Sequence, residues 1–204
     1  LEDGTIFRVK NGVSEAVMPM DTILLPGIHN VENYMTAIAV TDGLVSDESI
    51  RHVAQTFGGV EHRIELVRVK DGVRYYNDSI ASSPSRTIAG LRSFDEKVIL
   101  IAGGYDKHIP YDVLGPEICD RVKKLYLGGA TGPLIRQAVE NAPQYAPGKP
   151  EIVDCGDFTS AVLAAARDAR EGDVVLMSPA SAAFDQFKNF MERGNHYKKL
   201  IKEL

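Results

Sequence analysis

The chain changes its hydrophobic rhythm part-way along. Residues 5–10 alternate apolar and polar positions and run into Asn11-Gly12, a dipeptide suited to a tight hairpin turn. A second short run follows and ends at Thr22-Ile23-Leu24-Leu25, before Pro26-Gly27. From Asn30 to about Gly43 the apolar residues Ala37, Ile38 and Val40 fall at helical spacing. Ser46-Asp47-Glu48-Ser49 reads as the start of another helix, ending at Phe57 before Gly58-Gly59. A lone hairpin buries little surface, so the Asn11-Gly12 hairpin is expected to be the least stable part.

Beyond the glycine pair the grammar is different. Ile64–Val69 and Val73–Tyr76 are strand-like and flank the turn Asp71-Gly72. Strands and helices then alternate: Lys97–Ala102 and a helix after a glycine turn, Lys124–Leu127 and a helix from about Pro133 to Asn141, and Glu151–Val153 with a helix from Asp157 to about Arg170. Val174–Met177 is the last strand, and one long helix is expected from Ala183 to Leu204. Such alternation predicts an α/β fold, a mostly parallel sheet with helices on both faces. Ligands then belong at the carboxyl ends of the strands, in the loops after Tyr76, Ala102, Leu127 and Met177. The glycine pair suits a domain boundary and hinge, since glycine tolerates wide backbone rotation.

Composition narrows the picture. With 204 residues, 44% apolar and 25% charged, the chain can build a proper core. A net charge of −5 with no long basic patch argues against nucleic acid as a partner. No stretch of about 18 apolar residues is present, so membrane insertion is not expected, and a cytoplasmic setting is. Cys119 and Cys155 lack metal-ligand neighbours at zinc spacing and read as reduced thiols. The opening Leu1-Glu2-Asp3-Gly4 reads as the middle of a strand pattern, as though cut from something longer.

Each polar cluster at the strand ends has a plain reading and a functional one. Asn30 and Asn33 can cap a helix, or offer paired donor and acceptor groups to an adenine edge or a phosphate. Arg63 is a charged surface residue or a phosphate clamp. Asn77-Asp78-Ser79 is a turn and helix cap, or Asp78 takes a ribose hydroxyl or a metal-bound water. Lys107, after Gly103-Gly104, stands where it would attract an anion. Gly128-Gly129-Ala130-Thr131-Gly132 lacks the spacing of a nucleotide loop. Ser178-Pro179-Ala180-Ser181-Ala182-Ala183 is expected to lead into a helix N-terminus that favours an anion, or simply to pack closely. A lysine-bearing phosphate loop, a nucleophile elbow and a histidine cluster are missing from the sequence.

In order, His29-Asn30-x-x-Asn33, Gly58-Gly59, His62-Arg63-x-Glu65, Asn77-Asp78-Ser79, Gly103-Gly104-x-Asp106-Lys107, Ser178-Pro179-Ala180-x-Ala182-x-Phe184-Asp185-Gln186-Phe187 and Arg193-Gly194 resemble the Mur ligase family over essentially the whole chain. The motifs are most similar to those of its D-glutamate-adding members. The resemblance implies that residues 1–58 are the tail of a central ATP-binding domain. It also implies that residues 59–204 are a Rossmann-like domain that binds the incoming amino acid. The implied reaction joins D-glutamate to UDP-N-acetylmuramoyl-L-alanine through an acyl phosphate, with ATP and Mg2+. Most of the ligands for these would lie outside this chain, leaving it inactive alone.

By the same resemblance Asn30, Asn33, Arg63 and Asp78 contact the nucleotide. Lys107 pairs with a D-glutamate carboxylate, and Ser82, Ala183, Phe184 and Phe190 line the amino-acid pocket. Two positions depart from the family pattern. Ile80 stands where many members have Lys, and Ala183 where many have Ser; Arg86 is a candidate to compensate. The alternatives are a relative that adds another amino acid or builds folylpolyglutamate, and a non-catalytic binding module. A dehydrogenase fits worse, for want of the dinucleotide fingerprint.

Overall fold

A computed structural model describes residues 1–25 and 27–204. They form two compact units, Leu1–Gly59 and Val60–Leu204.

In the first unit, β1 (Thr5–Lys10) and β2 (Val13–Pro19) pair antiparallel. Asn11 and Gly12 both take positive φ, +49° and +81°, which matches the hairpin to the right-handed twist of its strands. Two helices follow, α1 (Ile28–Val40) and α2 (Asp47–Thr56). Ser46 caps α2 by accepting from the Ser49 N–H. The hairpin is not alone, as the sequence pattern suggested. Its buried Ile6, Val17 and Met18 join Ile23, Val31, Ile38, Ile50 and Ala54 in one apolar cluster, so the premise for its weakness falls.

The second unit is an α/β layer structure. Its six strands are β3 (Glu65–Lys70), β4 (Val73–Asn77), β5 (Val98–Ala102), β6 (Val122–Gly128), β7 (Glu151–Gly156) and β8 (Val174–Met177). They lie in the order β3-β4-β8-β5-β6-β7. Only β3 runs antiparallel, against β4; the other neighbours are parallel. The helices are α3 (Pro84–Leu91), α4 (Leu114–Arg121), α5 (Gly132–Glu140), α6 (Phe158–Asp168) and α7 (Phe190–Glu203).

Side chains alternate across the sheet, and each face has its own core. Val98, Leu100 and Ala102 of β5 turn toward a cluster with Leu91, Leu114, Ile118, Ile135 and Val139 from α3, α4 and α5. Ile99 and Ile101 turn the other way, toward Ala161, Val162, Tyr197 and Ile201 from α6 and α7. Burial on both faces explains why β5 and β8 read as unbroken apolar runs.

Three expectations needed revision. The last helix starts at Phe190, not Ala183, because residues 178–189 form an irregular loop. No helix therefore opens directly behind Ser178–Ala183 to draw an anion. The helix after β5 begins only at Leu114, leaving a long loop that carries Lys107. Asn77-Asp78-Ser79 caps no helix, since α3 starts at Pro84; instead the Asn77 Oδ1 accepts from the Ser79 N–H and closes a turn.

Candidate functional site

The loops that leave the carboxyl ends of β4, β5, β6 and β8 are stitched together by backbone. The Gly103 N–H donates to the Pro179 carbonyl (2.8 Å), the Tyr105 N–H to the Ala182 carbonyl (2.9 Å) and the Thr131 N–H to the Gly104 carbonyl (3.0 Å). Gly103 has φ +112°, and a Cβ there would overlap the Gly128 carbonyl oxygen. The glycines of these loops thus allow one backbone to press on another, and no phosphate role is needed to explain them. Gly103→Ala is expected to lose about 2–3 kcal/mol, read as a lower urea midpoint at unchanged slope. An unchanged midpoint would show that the loops can separate freely.

Side chains lock the same edge. Arg193 of α7 is 1% exposed. Its Nε donates to the Ser79 Oγ (3.1 Å), one terminal nitrogen to the Ala182 carbonyl (3.0 Å), and the other to the carbonyls of Ser79 (2.9 Å) and Ser181 (3.0 Å). It therefore ties the loop after β4 to the loop after β8. Burial brings its pKa down to about 10, opposed by Asp185. Thr131 and Tyr111 add a buried hydroxyl chain through Ser181, at 2.7 and 3.0 Å.

Asp78 is also turned inward. Its carboxyl accepts from the Ser178 Oγ (2.7 Å) and the Ile64 N–H (3.3 Å), and the Ser178 Oγ contacts the Thr87 Oγ1 at 3.0 Å. Burial pushes this carboxyl up to about 7; the bonds from Ser178 and Ile64 and the nearby Arg63 and Arg86 oppose the rise. Ile64 sits at φ +47°, a strained place for a β-branched residue, and the Asp78 bond helps to hold it there. Beside it, His62 is buried. The Asn77 amide spends its two N–H groups on the His62 Nδ1 (2.9 Å) and the Glu65 Oε2 (3.0 Å). Because the amide oxygen already accepts from Ser79, the His62 Nδ1 must be an acceptor and the ring neutral. Burial and the Lys198 charge both lower the His62 pKa, consistent with that state. Phe190 meets the His62 ring edge-on, with centroids 5.9 Å apart.

Of the residues singled out from sequence, Arg63, Asp78, Ser82, Lys107, Ala183, Phe184 and Phe190 all fall on this carboxyl edge. Arg63 and Lys107 are exposed, Ser82 and Phe190 half-buried, and Ala183 buried. Phe184 is 63% exposed and meets Tyr105 edge-on across the two loops. Asn30 and Asn33 belong to the first unit, on the opening turns of α1, with an Asn33 Nδ2 to Asn30 Oδ1 contact of 3.4 Å. Among the described residues no group of three or more His, Cys, Asp or Glu is placed to hold a metal ion. No helix among them is long and apolar enough to cross a membrane. Both cysteines are free, Cys119 buried and Cys155 half-buried.

The sequence reading noted Arg193 within a motif but gave it no task, and gave none to Ser178 or Thr87. One signal was available. Arg193, Tyr197 and Ile201 recur every four residues, so the arginine lies on the apolar face of α7, where a charge needs a built site.

Residues 62–181 match the family described as Mur ligase, glutamate ligase domain. The chain belongs to the Mur ligase family. It is 52% identical along its full length to a UDP-N-acetylmuramoylalanine–D-glutamate ligase of Acetivibrio thermocellus, and covers 44% of that protein. It is 49% identical to the enzyme of the same name from Clostridium beijerinckii, again over its full length and 45% of the relative. The chain thus spans less than half the length of these relatives. Among solved structures it resembles the UDP-N-acetylmuramate–alanine ligase of Thermotoga maritima, with a TM-score of 0.64, 15% identity, and coverage of 89% of this chain and 39% of that one. A folylpolyglutamate synthase of Mycobacterium tuberculosis, solved with ADP, gives a TM-score of 0.63 at 10% identity, over 96% of this chain and 48% of that one. These last two likenesses speak for the Mur ligase fold alone.

Proposed function

We propose that this chain is the C-terminal part of an ATP-dependent ligase that joins D-glutamate to UDP-N-acetylmuramoyl-L-alanine, and that it supplies the acceptor site for D-glutamate. The observation that carries this reading is the end-to-end identity of 52% to a relative named for that reaction. In this reading Leu1–Gly59 is the tail of the central ATP-binding domain and Val60–Leu204 the amino-acid-binding domain. The setting in this reading is the cytoplasm.

The chemistry is amide formation. ATP transfers its terminal phosphoryl group to the substrate carboxylate, giving an acyl phosphate and ADP. The D-glutamate amine attacks the acyl carbon, the C–N bond forms, and phosphate leaves with the C–O electron pair while the amine sheds a proton. Catalysis of this kind rests on positioning and on neutralising charge. Lys107 pairs with a D-glutamate carboxylate, beside Ser82, Ala183, Phe184 and Phe190. Arg63, exposed and without an ion pair among the described residues, would meet phosphate oxygens, and Asn30 and Asn33 of the first unit would meet the base. Asp78 reaches a ribose hydroxyl only by exchanging Ser178 for it, since its carboxyl is committed inward. In this reading the ligands of Mg2+ belong chiefly to the rest of the ligase.

Calorimetric titration of this chain with each glutamate enantiomer tests the reading. Weak binding of D-glutamate, none of L-glutamate and little of ATP is the expected result. Equal binding of both enantiomers, or a preference for L-glutamate, would assign the acceptor site to another amino acid.

A further inference from the structure

The chain enters its second unit at Val60, and His62 is the first residue there to be buried, at 4% exposed. Its backbone is held on both sides. The His62 N–H donates to the Glu65 Oε2 (2.9 Å), and the His62 carbonyl accepts from the Ile80 N–H (3.1 Å). The ring is held as well. Its Nδ1 accepts from the Asn77 amide, and a Cβ on Gly194 would overlap that same nitrogen, so the ring is pressed against the backbone of α7. His62 at φ +67° and Ile64 at φ +47° both occupy left-handed backbone that is costly for these residues. Residues 60–64 are thus held in place against strain, and the imidazole is the centre of what holds them.

Asn77 cannot turn over to suit a charged ring. Its oxygen accepts from the Ser79 N–H (3.1 Å) and its second N–H goes to the Glu65 Oε2 (3.0 Å). Turning the amide would set donor against donor and oxygen against carboxylate. A proton on Nδ1 would therefore face a donor, and the backbone at Gly194 leaves the ring no room to swing away inside the niche. The charged groups around the ring are Glu65 of β3, Lys198 of α7 and Glu61 on the same segment; the Lys198 Nζ lies 3.2 Å from each carboxylate. From β4, Asp78 is turned to Ser178 and the Ile64 N–H, and Arg193 of α7 is spent on Ser79, Ser181 and Ala182. We infer that His62 is an acid-sensitive latch: the neutral ring ties residues 60–64 to β4 and α7, and the protonated ring leaves its niche and frees that stretch, Arg63 included. Burial, then Lys198, lowers the ring's pKa from its ordinary 6.5, against Glu65 and Glu61, so the closed latch resists the proton. Above about pH 6.5 neither form takes the proton and the latch has its full strength. Below it the released ring binds the proton and the closed one does not, so release gains about tenfold per pH unit. The inference is independent of the D-glutamate reading.

Hydrogen exchange of the unaltered chain and of His62→Gln, from pH 7 to pH 5, is the test. Glutamine does not titrate in this range, and its side-chain oxygen can still accept from Asn77. The Ile80 amide, bonded to the His62 carbonyl, reports the latch, and the amides of β5 report the unit as a whole. With intrinsic exchange rates allowed for, Ile80 protection in the unaltered chain should fall about tenfold or more between pH 6.5 and 5, without a matching fall in β5. His62→Gln should show no such fall. Ile80 protection independent of pH in the unaltered chain overturns the inference. An equal fall in His62→Gln overturns it as well and assigns the pH dependence to Asp78 or Glu65. Nitrogen NMR of the His62 ring in the unaltered chain needs no variant. Nδ1 should gain its proton in step with the loss of Ile80 protection, and a ring protonated while Ile80 stays protected would show that the niche tolerates the charge, which overturns the latch.

Discussion

Arg193→Met should be the most damaging single change in the second unit, losing about 3–5 kcal/mol. The guanidinium is buried and, among the described residues, holds no carboxylate at hydrogen-bonding distance; its donors go to three carbonyls and one hydroxyl. Methionine fills similar volume but donates nothing, so the carbonyls of Ser79 and Ser181 are left buried without these donors, while that of Ala182 keeps the Tyr105 N–H. Each such group costs about 1–3 kcal/mol, partly offset because a charge no longer has to be buried. For a domain of this size the loss corresponds to a melting temperature lower by roughly 10 °C. Arg193→Lys should recover only part of it, because one ammonium cannot span both loops. Calorimetry of the two variants is the check, and a change below about 1 kcal/mol for Arg193→Met would mean that the loops hold together without the clamp. If the chain takes D-glutamate as proposed, loosened loops should also weaken that binding at temperatures where the variant is still folded, since the proposed pocket residues Ser82 and Ala183 sit on the two joined segments.

Asp78→Asn should act in the opposite direction at neutral and alkaline pH, and should stabilise the protein. The folded state raises this carboxyl from 3.8 to about 7, chiefly by burial. The raised value means that the folded protein holds the proton more tightly than the unfolded chain. Below about pH 4 both states are protonated and the full stability is present. Between about pH 4 and 7 the unfolded chain ionises while the folded one does not, and stability falls. Above pH 7 the loss is complete, at roughly 4 kcal/mol.

Asparagine removes the ionisation and can keep the geometry. Its oxygen still accepts from the Ile64 N–H, and its amide can donate to the Ser178 Oγ, which in turn donates to Thr87. Variant and parent should therefore match near pH 4 and diverge steadily to pH 8, where the variant is the more stable. Urea midpoints at pH 4, 6 and 8 give the difference directly. Parallel profiles would show that the carboxyl is ionised throughout, with Arg63 and Arg86 supplying more compensation than burial removes.

The architecture was legible in the sequence wherever the signal is local. Period-two and period-3.6 patterns depend on a few neighbouring residues, so the hairpin, the helix capped by Ser46, the strands β5 and β8, and the helix opened by Asp157 all lie where the pattern puts them. The ordered polar clusters likewise sufficed for the family. What only the tertiary structure decided is the partner of each polar group. Inserting β8 between β4 and β5 brings Ser178 to Asp78 across 100 residues and Arg193 to Ser79 across 114. The same insertion keeps residues 178–189 from extending α7. The Ser181 and Ala182 carbonyls are taken by Arg193 and Tyr105, and Ala180 is held at φ +56°. A short sequence window cannot tell an aspartate that will cap a turn from one that will be buried and raised to about 7. The difference lies in a serine and a strand supplied from the far end of the chain.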